Sequence, residues 1–549
     1  MDLFTQLTSE LASLKDSRRN WESTWQEIGD LVSPNRSDFL TLRTAGEKRR
    51  EKIFESTPLR ALTRFSSGMH NLLTPSTQNW FELKMRNNAL NEERDVQLWL
   101  EESTRVLIQT FNRPNNNFHP AMHEYLLDLG AFGTGVMHVK DIPGEGPYFA
   151  SYPLYNCFLA KNEMGRVDTI YRVYEHTAKE VLEAFGEEKL PDKVQKAIEA
   201  GKYYDKFECV HVVKPISTFK DAPIKRFPFV SIYFMPTAKA ILNVGGFESF
   251  PFVCSRWERN SQETYGRGPG AEALADIKML NEMEKTYLKA LQKIVDPPLM
   301  IPDDGFLNPI RTTPGGINYY RSGLGRDERI FPMPSAQRVD IAEAKMAQVR
   351  ENIEKSFYLD MMELPGPVAN DGDVLRFTAT EVQARQRDRL QIVGPIVSRQ
   401  EIEMLGPMIE RATQILLTNN LLPQPPDVVM EQEEFKIEYR NPVSVAMRGY
   451  ELNSISQLIQ FLTPIAQIDP TILQRLDTSQ VVKLGADILR TPPSVVKDEA
   501  QFQQELQQQQ EQSAMMQQLQ QAEITANIDQ VTSTAEKNRA MAAQQMTAV

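Results

Sequence analysis

The run from Tyr265 to Leu417 constrains this chain most, because two apolar-striped segments of nearly equal length flank an insert rich in proline and glycine. In the first, residues 271–295, a 100° step places Ile277, Leu280, Met283, Tyr287, Leu291 and Ile294 on one face. Lys278, Lys285, Lys289 and Lys293, with Glu282 among them, fall on the opposite face. A helix of that length is a rod of ~37 Å. Asp296-Pro297-Pro298 ends it, and residues 296–336, closing on Phe331-Pro332-Met333-Pro334, read as a small loop-and-strand module. The second stripe, Val339, Ala342, Met346, Val349, Ile353 and Phe357, predicts a helix over about 337–359. Matched lengths let the two pack antiparallel, with the module at one end. Leu364-Pro365-Gly366-Pro367 breaks the second helix, and the loop through Asn370-Asp371-Gly372-Asp373 is flexible by composition. Thr378-Ala379-Thr380-Glu381 is a capping box that opens a third long helix. Within it Gly394-Pro395 and Gly406-Pro407 each predict a kink, since proline removes a backbone donor and crowds the preceding turn.

The flanks complete an α+β chain that is mainly helical. Phe4, Leu7, Leu11, Leu14, Trp21, Trp25, Ile28 and Val32 predict an amphipathic helix over 3–32, ended by Ser33-Pro34. Thr57 as N-cap and Pro58 in the first turn open a helix that stops before Pro75. Residues 80–85 alternate like a strand, and 91–111 form another helix. A further helix runs from about Pro120 to Leu129, with Gly130 as its stop. From Val136 to about Val253 short β-like runs dominate, interrupted by one helix near 177–200, so residues 1–264 read as one large α+β region. A strand at 435–439, helices to about 489 and a glutamine-rich tail from Lys497 follow.

Composition removes most chemistry. A length of 549 residues suggests three or four domain-sized units. The net charge of −12 argues against a dedicated, tight nucleic-acid binder. Cys157, Cys209 and Cys254 lie far apart without a Cys-x-x-Cys, so neither a zinc knuckle nor a disulfide framework is indicated. The first residues lack a signal-peptide pattern, and no apolar run approaches the ~20 residues of a membrane helix. A soluble, intracellularly made protein without a membrane partner is expected. Gly130, Gly133 and Gly135 stand between a helix and a strand, the reverse of a dinucleotide fingerprint. His119 and His123 lack a glutamate in either zincin position. There is no phosphate loop and no Gly-x-Ser-x-Gly elbow. No catalytic residue, metal or cofactor is expected. The lysine face of 271–295 is a solvated surface or a stripe that meets DNA phosphates, and Arg376, Arg385, Arg387 and Arg389 are similarly DNA-facing or form ion pairs between subunits.

Several segments then coincide with one family. The helix Leu59 to Leu73 leads through Thr74-Pro75 to Trp80-Phe81, and a helix-Gly130-strand step spans Leu126 to Val139. Glu263-Thr264-Tyr265-Gly266-Arg267 precedes the first long helix, and Arg376-Phe377-Thr378-Ala379-Thr380-Glu381-Val382, with Arg385, opens the third. In this order and spacing, over roughly 20–490, the chain resembles the portal, or head-to-tail connector, proteins of short-tailed, T7-like bacteriophages.

The resemblance implies a portal fold of wing, stem, clip and crown, assembled as a homo-oligomeric ring, usually of twelve, around a channel for double-stranded DNA held without sequence preference. On that map 1–264 is mostly wing, 265–295 the first stem helix and 296–336 the clip. Residues 337–359 are the second stem helix. Residues 360–377 are the tunnel loop, with Pro365, Asn370, Asp371 and Asp373. Residues 378–420 are the kinked helix, 421–496 complete the wing and crown, and 497–549 are a crown barrel or a disordered tail. DNA-channel candidates are Lys278, Lys285, Lys289, Lys293, Arg376 and Arg385. Implied partners are the terminase motor, then the tail adaptor, with the major capsid and scaffold proteins. The expected place is the unique head vertex of the virion, after assembly in the host cytoplasm. Another ring of the tail (an adaptor or nozzle) and a nucleic-acid enzyme remain as alternatives.

Overall fold

The computed structural model describes residues 2–296 except 42, 45, 88, 220 and 221. It further describes 299–300, 331–332, 339–362, 369–370, 373–374, 393–430 and 435–440, and scattered helical positions between 454 and 541. The chain divides into two compact units, Met1–Ser444 and Val445–Val549.

The first unit opens with α1 (Leu3–Val32) and α2 (Thr57–Leu73). In α1 the predicted stripe is buried at Leu7, Leu11, Trp25, Ile28 and Val32. Arg18, a cation inside that face, is also buried, donating to the carbonyls of Leu154, Tyr155 and Cys157 at 3.1, 3.0 and 2.8 Å. The N-cap of α2 is Ser56 rather than Thr57, whose hydroxyl donates to Glu55 at 2.8 Å. Strand β1 (Phe81–Met85) and helices α3 (Arg94–Asn112) and α4 (Phe118–Phe132) follow.

The stop of α4 is Gly133, at φ +78°, and not Gly130. Gly130 lies inside the helix because α2 crosses there, and a Cβ on it would stand 2.6 Å from the Phe65 ring. Gly133 alone can turn the chain out of the helix in the left-handed region.

The sheets use β2 (Thr134–Ile142), β3 (Gly146–Ser151), β4 (Cys157–Lys161), β5 (Val167–Thr177), β6 (Lys206–Pro215), β7 (Phe229–Met235), β8 (Ala240–Phe247) and β9 (Phe252–Arg256). One sheet runs β3-β2-β9 and the other β4-β5-β6-β7-β8, with all named pairs antiparallel. Where one helix was expected near 177–200 there are two, α5 (Ala178–Phe185) and α6 (Asp192–Glu199). They are parted by Gly186 at φ +77° and Pro191.

Alternation along the five-stranded sheet gives it two apolar faces. Tyr171, Val212, Ile232 and Phe234 meet Leu7 and Leu11 of α1, while Tyr174, Cys209 and Met235 meet Val181 and Val194 of α5 and α6. Lys214, 2% exposed, reaches from β6 to both carboxylate oxygens of Glu10 in α1 at 2.9 and 2.7 Å. Burial alone would raise the Glu10 carboxyl. Lys214, then Tyr171 and Gln6, hold it below its usual value.

Helices α7 (Pro269–Glu272), α8 (Leu274–Val295), α9 (Val339–Ser356) and α10 (Leu359–Met362) come next, with β10 (Leu299–Met300) paired antiparallel to β11 (Phe331–Pro332) between α8 and α9. The second long helix thus ends at Ser356, ahead of the predicted breaker, where Tyr358 turns through φ +57°. The strands β12 (Ala369–Asn370) and β13 (Asp373–Val374) pair antiparallel, so backbone pairing holds part of the loop that composition marks as flexible. Helix α11 covers 393–400, a π-helical turn Glu401–Leu405 follows, and α12 (Gly406–Thr418) continues. A short α13 (Asp427–Met430) precedes β14 (Phe435–Tyr439), which pairs with β1. Glu82 and Glu438 stand directly opposite in that pair, and each is neutralised diagonally, by Arg440 and by Lys84 at 2.6 Å.

In the second unit the described residues are helical, including 457–464 and 530–541, and none is buried. Phe461 is 68% exposed and Val531 69%.

Candidate functional site

The pair α8–α9 is a rod rooted in the first unit. Ile277 and Leu280 of α8 and Met346, Val349, Ile353 and Phe357 of α9 are buried, which is the seam that both stripes predict. Burial fades along α8, so that Ile294 is 42% and Val295 84% exposed. Arg350 ties the root, donating to Glu55 at 2.9 and 2.7 Å and to Glu284 of α8 at 3.1 Å. Asn281 clamps the segment before α2 from the other side: its Oδ1 accepts from Phe54 N–H at 2.8 Å and its Nδ2 donates to the Lys52 carbonyl at 3.0 Å.

These contacts divide the lysine face. Lys278 pairs with Glu27 of α1 at 2.5 Å. Lys285 pairs with Glu282 at 3.1 Å and lies 5.7 Å from the centre of the Phe54 ring. Lys289 and Lys293 are exposed, and among the described residues neither has an ion-pair partner. The lower half of the stripe is spent on the chain itself.

The approach to α8 explains Glu263-Thr264-Tyr265-Gly266-Arg267. Tyr265 is buried, its hydroxyl accepting the Leu159 N–H at 3.0 Å and its ring lying 5.0 Å from that of Trp25. Gly266 crosses the end of α4 so closely that a Cβ would stand 2.4 Å from the Gly133 carbonyl oxygen. Arg267 pairs with Glu263 and covers the Trp21 ring at 4.6 Å. The motif is a crossing point that aims the long helix.

The π-turn between α11 and α12 is anchored by a buried polar chain. Arg256 of β9, 1% exposed, meets Glu403 through Nε at 3.1 Å, a terminal nitrogen at 2.7 Å and its own backbone N–H at 3.0 Å. Gln400 donates to the Arg256 carbonyl at 3.0 Å and accepts from Ser255 at 2.6 Å, and Tyr125 donates to Ser255 at 2.6 Å. Glu403 lies in the π-helical turn. Pro407 has no N–H for the Glu403 carbonyl four residues back. One residue earlier, Gly406 N–H reaches Glu401, whose carbonyl also accepts from Tyr439 at 2.9 Å. A π-turn that widens the helix therefore stands at Gly406-Pro407, where a kink was predicted. Gly394 and Pro395 stand in the first described turn of α11, and residues 375–392 before them lie outside the described residues.

The other candidates are placed as follows. Asn370 and Asp373 face each other in the β12–β13 pair. Pro365, Asp371, Arg376 and Arg385 lie outside the described residues, as do Arg387, Arg389 and the capping box at 378–381. A groove of about 820 Å³ beside α12 is lined by Leu83, Ile402, Pro407, Ile409, Ile437 and Tyr439, with Glu410, raised by burial, near Arg166. Its Thr413 hydroxyl donates to the Ile409 carbonyl at 2.8 Å, and its Tyr439 hydroxyl to the Glu401 carbonyl. Burial pushes the Cys157 and Cys209 thiols up to about 12, so neither is a thiolate at neutral pH. Sequence reading missed Arg18, Arg256 and Glu403, because a charge in a helix or at a strand end gives no signal of the cavity that will enclose it.

His119 does meet another histidine, whereas His123 meets Ser66. His70 of α2 places its Nε2 3.1 Å from His119 Nδ1, while His123 Nδ1 lies 3.0 Å from the Ser66 hydroxyl. Among the described residues no group of three metal-ligating side chains converges.

Known proteins resemble this chain over most of its length. The family model "Bacteriophage head to tail connecting protein" matches residues 5–496. A "Probable portal protein" of Bordetella phage BPP-1 is 30% identical over 501 residues, covering 89% of this chain and 88% of that one. A "Portal protein" of Salmonella phage epsilon15 is 27% identical over 505 residues, covering 91% and 89%. A chain from the "Virion of native gene transfer agent (GTA) particle" aligns at TM-score 0.34 and 11% identity over 83% of this chain and 99% of that one, a likeness too low to carry an argument. With the family model spanning nearly its whole length, the chain belongs to the bacteriophage head-to-tail connecting proteins, the phage portal family, whose members are structural rather than catalytic.

Proposed function

We propose that copies of this chain close into a ring at one vertex of the phage head, around a channel that passes double-stranded DNA inward at packaging and outward at ejection. The observation that carries this reading is the antiparallel pair α8–α9, rooted by Arg350 and Asn281 and joined beyond α8 by β10–β11, in a chain of the portal family. A rod pair held this way can repeat about an axis as the wall of a tube. In this reading 265–295 and 337–359 are the stem, and 296–336 is the clip that docks the terminase motor and later the tail adaptor. Residues 360–377 are the tunnel loop, 378–420 bend over the ring, and 1–264 with 421–496 form the wing and crown against capsid and scaffold proteins.

Electrostatics favours a loose hold on DNA. Twelve copies at −12 each make a strongly acidic ring, which repels phosphates except where cations stand free. Among the described residues Lys289 and Lys293 have no ion-pair partner, and contacts of lysine with phosphate carry no sequence information and let the duplex slide. Lys278 and Lys285 serve the root of the rod instead. Images of the purified protein should contain rings with a central hole; only monomers or compact dimers at assembly-competent concentration would overturn the reading.

A further inference from the structure

We propose that His70 and His119 form a clamp for a divalent transition-metal ion, binding α2 to α4. The two ring nitrogens that face each other, His70 Nε2 and His119 Nδ1, are 3.1 Å apart and come from different helices. With metal–nitrogen bonds of about 2.05 Å, that separation corresponds to a ligand–metal–ligand angle of about 98°, within reach of tetrahedral or octahedral coordination after a shift of a few tenths of an ångström.

The surroundings prepare one ligand fully. His119 Nε2 lies 2.9 Å from Asn112 Oδ1, an acceptor, so the proton sits on Nε2 and the Nδ1 lone pair is left facing His70. A ligating histidine commonly has this second hydrogen bond, which fixes its tautomer and ring orientation. Without metal, His70 Nε2–H donates to that lone pair. With metal, the His70 proton moves to its Nδ1 and both lone pairs point at one ion. Both rings are only half-buried, so the ion can enter and water can complete its shell. His123, one turn beyond His119 on α4, is held by Ser66 through Nδ1.

The test is thermal unfolding and calorimetry of the untagged full chain at pH 7.5 with Zn²⁺, Ni²⁺ or Mg²⁺. Zn²⁺ and Ni²⁺ should raise Tm reversibly to chelator, and Mg²⁺ should not. His70→Ala and His119→Ala should each abolish the shift, and Asn112→Ala should weaken binding about 10–100-fold. Because those variants remove packing as well, Cu²⁺ bound to the unaltered protein supplies a second readout: its electron paramagnetic resonance should contain coupling to two imidazole nitrogens. The absence of any Tm shift at millimolar Zn²⁺, or a shift retained in both histidine variants, would overturn the clamp.

Discussion

At the scale of single residues, the decisive positions are polar ones that the fold encloses. Arg256 and Glu403 join β9 to the π-turn through three hydrogen bonds, with Arg256 almost wholly excluded from water. Removing one partner leaves a buried charge with nothing to meet it, so Arg256→Ala should lower stability by about 3–5 kcal/mol. Glu403→Gln, which leaves the Arg256 charge buried without its counter-charge and turns one accepting oxygen into a donating amide, should cost a comparable amount. Replacing both by apolar residues of similar size should recover much of the loss. Urea unfolding of the unassembled chain measures all three, and equal losses for all three would contradict a paired-charge role.

At the scale of elements, the histidines make helix and sheet contacts sensitive to acid. His211, in β6 between the sheets, is depressed to about 3 by burial first and then by Arg172 and Lys140, and His70 in α2 to about 4. An unfolded histidine binds its proton near 6.5. Below that pH the unfolded chain holds more protons than the folded one, so stability must fall as pH falls. The contribution is complete above about pH 6.5 and lost progressively toward 3–4. For the enclosed His211 it is on the order of a few kcal/mol, and His70, being partly wet, adds less. Tm measured in chelator should therefore drop between pH 7 and pH 5, and His211→Gln, which can keep a hydrogen bond to Ser231, should flatten that drop. A slope unchanged in that variant would place the acid sensitivity elsewhere.

For the whole molecule, the question is how an acidic chain handles DNA. If Lys289 and Lys293 are the free cations of the stem, Lys289→Ala with Lys293→Ala should leave ring formation intact and alter DNA packaging or retention. Lys278→Ala, which only breaks the link to Glu27, should leave DNA handling unchanged. Phosphate contacts weaken as salt rises, so the difference between the double variant and the unaltered protein should shrink at high ionic strength. Particles that package and retain DNA alike with and without both lysines would remove the stripe from the channel.

Periodicity determined much of this protein by itself. The stripes of 3–32, 271–295 and 337–359, the strand at 435–439 and the antiparallel pairing of the two long helices were legible because apolar spacing reports directly which face must leave water. The motifs Glu263 to Arg267 and Arg376 to Val382, with the order of segments, were enough to point to the family. The tertiary structure decided what spacing cannot encode. Gly133 rather than Gly130 ends α4, because Phe65 of α2 occupies the space beside Gly130. Two helices replace one between β5 and β6, and the Gly406-Pro407 site, where a kink was predicted, carries a π-turn. Among the described residues Lys278 and Lys285 have partners and Lys289 and Lys293 have no ion pair, because Glu27 and Phe54, more than two hundred residues earlier, meet only the lower half of α8. Likewise His70 meets His119 only because α2 packs against α4. Local spacing fixes a face, but what that face meets depends on contacts between distant parts of the chain.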